Sequence, residues 1–74
     1  MSPLKAHRRG RRAVLAAGYP SGGRRWETFW AGFRAYFRGD GANPPAEWEE
    51  YSRAWRAYRR EAWKLGFLAA RGKL

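Results

Sequence analysis

Seven residues in the C-terminal half, Trp48, Tyr51, Trp55, Tyr58, Ala62, Leu65 and Ala69, recur at alternating steps of three and four. An α-helix turns once in about 3.6 residues, so this alternation gathers all seven into one seam along a helix. A second stripe, Trp26, Phe29, Phe33 and Tyr36, keeps steps of three, four and three. No stretch alternates with period two, and no sheet is expected.

Glycine and proline cut the chain at Gly18–Gly23 and again at Gly39–Pro45. The sequence therefore predicts one small domain over residues 1–74, divided into a basic N-terminal segment (1–20), a helix (21–39), a turn (40–45) and a long helix (46–71). Ser2 before Pro3 and the stop at Gly18 make the first segment a candidate third helix, although Gly10 interrupts it. For the last helix, Asn43 is the expected cap, with Pro44 at the first helical position. Glu47, Glu49 and Glu50 lie near its positive end, and basic residues precede Gly72. The fold class is all-α: two helices joined by a short Gly/Asn/Pro turn form an antiparallel hairpin whose aromatic seams meet.

In this arrangement Trp26, Phe29, Phe33, Trp55 and Tyr58 are expected in the core. Trp30, Phe37, Trp63 and Phe67 lie off the seams, free to pack the first segment, to seal a dimer or to stack on bases. Gly32 and Gly66 interrupt helices at a cost of about 1 kcal/mol each relative to Ala, which marks them as points of close approach, most simply of one helix on another.

A chain of 74 residues buries a modest core, but 45% apolar and 18% aromatic residues suffice to fold it despite 30% charge. Cysteine is absent, which removes disulfides and thiolate chemistry and fits a reducing cytoplasm. The longest apolar run, Ala13 to Ala17, is too short for a membrane span or a secretory signal core.

Sixteen Lys and Arg against six acids give a net charge of +10. The excess is concentrated early: residues 1–25 carry Lys5, Arg8, Arg9, Arg11, Arg12, Arg24 and Arg25 with no acid. Such a block suits a polyanion. A further stripe of Arg53, Arg56, Arg60 and Lys64 shares one face of the last helix, and Arg34 and Arg38, one turn apart, extend the same field. Arginine matches phosphate because its planar fork donates two hydrogen bonds at once. These thirteen side chains are the candidate nucleic-acid contacts. Phosphate contacts position a protein without reading sequence, and no base reader is distinguishable.

Catalytic equipment is not visible. His7, the single histidine, sits within the basic segment as a surface residue, and the glutamates suit the helix dipole and pairing such as Glu49 with Arg53 better than acid–base work. No metal-ligand spacing or phosphate-cradling glycine loop occurs, so no cofactor, small-molecule substrate or enzymatic activity is expected.

Three elements carry a likeness to a known family: GFRAYFRG at Gly32–Gly39, NPP at Asn43–Pro45 and WKLGFLAA at Trp63–Ala70. Over about Ala31 to Ala70 the chain resembles the ribosome modulation factor family, small basic bacterial proteins with a Gly-aromatic-x-Ala-x-x-x-Gly element, a proline turn and a Trp-x-x-Gly-aromatic element. The resemblance implies two helices joined by a linker, ribosomal RNA of the small subunit as partner, and regulation of translation by holding ribosomes inactive. The expected function is thus non-enzymatic RNA binding. A small interaction protein that grips an acidic surface on a host protein is the rival, and an architectural DNA binder ranks third because no recognition helix is evident.

Overall fold

The computed structural model describes residues 3–39 and 43–72. Three α-helices follow in order: α1 (Pro3–Ala16), α2 (Arg24–Phe37) and α3 (Arg53–Arg71), with a 3-10 turn at Ala46–Glu50 before α3. Among the described residues there is no strand, and no helix is long and apolar enough to cross a membrane.

The basic first segment is a docked helix. Ala6, Gly10 and Val14, four residues apart, are buried on one side of α1. Gly10 is required by contact: a Cβ there would come 2.6 Å from Phe33 Cε2 and 2.9 Å from Trp30 Cζ3. The propensity cost of a helical glycine is offset by bringing α1 onto the rings of α2. At Gly18 the backbone turns left-handed, with φ +76°, and α1 is over.

The expected single helix over 46–71 is interrupted. Ser52 takes an extended conformation and its side chain accepts a hydrogen bond from the Trp55 amide at 3.1 Å. Serine in that position caps a new helix, so α3 begins at Arg53 and the three glutamates are left in the preceding 3-10 turn. Asn43, the expected cap, lies before that turn, whose flanking residue is Pro45. The stop at Gly72 is as the sequence predicts, with φ +80°.

The contacts between α2 and α3 rise together along both helices. The Arg25 guanidinium lies 5.0 Å from the Tyr58 ring centroid, Arg59 Nη1 donates to Thr28 Oγ1 at 3.4 Å, Gly32 meets the Trp63 carbonyl, and Tyr36 packs edge-on to Phe67 at 5.5 Å. The two helices therefore run alongside each other in the same direction, in place of the expected antiparallel hairpin. A 14-residue helix is about 21 Å long. Returning over that distance needs more chain than a six-residue turn, and the 3-10 turn with its flanking residues forms part of the crossover.

This geometry rotates the seams. The faces in contact centre on Gly32 and Gly66, so the residues three before and one after each glycine point across the junction. Phe29, Phe33, Trp63 and Phe67 are buried there. Trp63, expected off the seam, is only 2% exposed, whereas Tyr58, expected in the core, is 51% exposed. Trp26 and Trp55 are half-buried, and Tyr51 and Phe37 face solvent.

Candidate nucleic-acid interface

Docking of α1 sorts its cations. Lys5, Arg8, Arg11 and Arg12 are exposed. Arg9 turns inward: its Nε donates to the Ala69 carbonyl and its Nη2 to the Ala70 carbonyl, both at 2.7 Å. The last carbonyls of a helix lack the usual partner four residues on and carry the negative end of the dipole; the Ala69 carbonyl accepts from the Gly72 amide at 3.1 Å as well, and a guanidinium suits both carbonyls in hydrogen bonding and in charge. Arg9 thus spends two donors on joining the ends of the fold.

Arg24 and Arg25 are exposed at the start of α2. Arg25 stands between two rings, with its guanidinium carbon 5.4 Å from the Tyr19 centroid and 5.0 Å from that of Tyr58. Burial raises the Tyr19 pKa above its ordinary value and Glu61 adds to the rise, against a smaller lowering by Arg25. Arg34 and Arg38 are exposed one turn apart on α2.

Along α3, Arg53, Arg60 and Lys64 are exposed, but Arg56 is half-buried and pairs with Glu49 at 2.8 Å. The four-residue basic stripe therefore has one member partly neutralised. The sequence reading passed over Arg59, which lies with its guanidinium carbon 4.5 Å from the Trp55 centroid and contacts Thr28 from across the helix junction. Its signal was present, since Arg59 follows Trp55 by four residues and so stands one turn along the same face. Tyr51 also stacks on Trp55, at 4.2 Å with the planes 17° apart.

Between α1 and α2 lies an open groove of about 810 Å³. From α1 it is lined by His7, Arg11, Val14 and Leu15, and from α2 by Trp26, Glu27, Trp30, Phe33 and Arg34, with Ser21 from the connection. Both sets follow helical spacing, which places one stripe of each helix on the same concave surface. His7 stacks on Trp30 at 5.3 Å and 20°, while Trp26 and Phe33 meet Trp30 edge-on at 6.2 and 5.0 Å. Arg11 and Arg34, more than twenty residues apart in sequence, face this one aromatic groove. A smaller cleft of about 360 Å³ brings Arg38 beside Asn43, Glu47 and Trp63.

Among the described residues, no three His, Cys, Asp or Glu side chains gather as a metal site would require. Comparison with protein-family models, with curated proteins and with solved structures finds no match to this chain.

Proposed function

We propose that this protein binds RNA without catalysing a reaction, and that its target is ribosomal RNA, through which it modulates translation. The observation that carries the reading is the exposed surface of α1. Lys5, Arg8, Arg11 and Arg12 project from a helix that contains no acid and is held to the core by Ala6, Gly10, Val14 and Arg9. A row of cations on an ordered helix meets a phosphate backbone with less loss of chain entropy than a loose basic tail does. Ribosomal RNA is named for the likeness of Gly32–Gly39 and Trp63–Ala70 to ribosome modulation factors.

The test is RNA affinity measured against salt. Each neutralised phosphate releases counterions, so on single strands the log–log slope falls by about 0.7 per contact. Four α1 contacts alone give a slope near −3. Replacing Arg8 and Arg12 together with Ala should make the slope shallower by about one to two units. A salt-independent affinity, or an unchanged slope in that variant, refutes phosphate binding by α1. Capture from a lysate separates the rival reading: an acidic protein partner persists after nuclease treatment, and an RNA-dependent one does not.

A further inference from the structure

We infer that the groove between α1 and α2 is a stacking site for an unpaired base of an RNA strand, whose flanking phosphates lie on Arg11 and Arg34. The inference rests on the RNA-binding reading above and specifies its target: single-stranded or bulged RNA in preference to a continuous duplex.

The groove's surface is unusual for a bare docking cleft. Its floor is made of ring systems, Trp26, Trp30 and Phe33, with His7 laid on Trp30 at 5.3 Å. Flat rings favour a flat, polarisable occupant, and stacking on aromatic side chains is the recurrent means by which proteins hold splayed-out bases. At about 810 Å³ the space falls within the ~300–1,000 Å³ range of small-ligand sites, enough for one nucleotide. Charge settles the class of occupant. Arg11 and Arg34 stand on opposite helices of the groove, and α1 behind it adds Arg8 and Arg12 without one acid. A guanidinium on each wall complements a strand that carries a phosphate on either side of each base. Glu27, the single acid among the lining residues, repels phosphate from its side and directs the backbone toward the arginines. A paired base cannot enter, because its faces are already stacked and its edge is occupied.

The experiment compares an unstructured RNA strand with a blunt RNA duplex of the same length, at a salt concentration high enough to weaken the purely ionic term, with the full chain and two variants. The parent should prefer the strand. Trp26→Ala should weaken strand binding about tenfold or more while leaving the duplex unchanged within about twofold. Leu15→Glu guards against loss of folding, because Leu15 is 66% exposed at the groove. A carboxylate there should again reduce strand binding about tenfold, and more than duplex binding. If both folded variants lower strand and duplex affinity equally, or neither changes strand affinity, the groove is not a base site although RNA binding stands. If the parent binds neither RNA, the RNA-binding reading itself fails. Self-association of the parent that Leu15→Glu abolishes would assign the groove to a second copy of the chain and overturn the inference.

Discussion

Gly32 and Gly66 face each other reciprocally across the α2–α3 junction: a Cβ on Gly32 would overlap the carbonyl oxygen of Trp63, and one on Gly66 that of Phe29. Each glycine therefore meets the residue three before the other. The obstructing atoms are backbone, which cannot rotate aside as a side chain can, so the two helices approach this closely only where both positions lack a Cβ.

Gly32→Ala or Gly66→Ala should lower stability by up to about 2 kcal/mol, the overpacking penalty of roughly 1–3 kcal/mol less the ~1 kcal/mol gained in helix propensity. In a domain of this size about 2 kcal/mol is a fall in Tm of about 8–16 °C, followed by circular dichroism. An alanine variant that melts at or above the parent temperature would show that α2 and α3 stand further apart than described.

Trp63→Ala should cost about 3–5 kcal/mol, the range for deleting a large buried aromatic, and Tyr58→Ala less than about 1 kcal/mol. Sequence periodicity alone gives the reverse order, since Tyr58 belongs to the stripe and Trp63 does not. Urea denaturation of the two variants decides between them: equal midpoints, or Tyr58→Ala as the less stable, would restore the periodic seam.

Arg9→Ala should destabilise the fold by about 2 kcal/mol, because two carbonyls at the end of α3 lose charge-assisted partners. Arg12→Ala, from the exposed side of α1, should leave the melting temperature within about 2 °C and weaken RNA binding instead. A pair of variants with interchanged behaviour, Arg9→Ala stable but poor at binding, would place Arg9 on the interface and remove its structural role.

Much of the architecture is written locally. Period, glycine and proline punctuation and the Gly72 stop suffice to place α1, α2 and the end of α3, because each depends on a few neighbouring residues. The close approach of Gly32 and Gly66 was also legible, since a helical glycine is costly unless something needs the space. Three features were not. Ser52 stands within an unbroken apolar periodicity, and its capping bond to Trp55 competes with helix continuation by an amount that spacing does not reveal. The shared direction of α2 and α3 depends on whether Gly39–Ser52 closes as a turn or returns as a crossover, which is a matter of tertiary packing. Arg9 shares its composition and surroundings with Arg8, Arg11 and Arg12, and only the position of α3 distinguishes it. In the candidate site, charge alone marked where cations stand in the sequence but did not separate exposed Arg8 and Arg12 from inward Arg9 or paired Arg56, and the aromatic groove required two helices to be placed side by side.

The bonds from Arg9 to Ala69 and Ala70 join positions 60 and 61 residues apart, nearly the full length of the chain. Closing so large a loop is an entropic cost that must be met late, after the intervening helices have formed. During synthesis the two Arg9 bonds consequently cannot form until the final turn of α3 has emerged. Once they have formed, the two ends are coupled: fraying of α3 at Ala70 releases Arg9 and with it one of the ties that seat α1. Amide protons in α1 and in the last turn of α3 should then exchange with solvent through a single common opening.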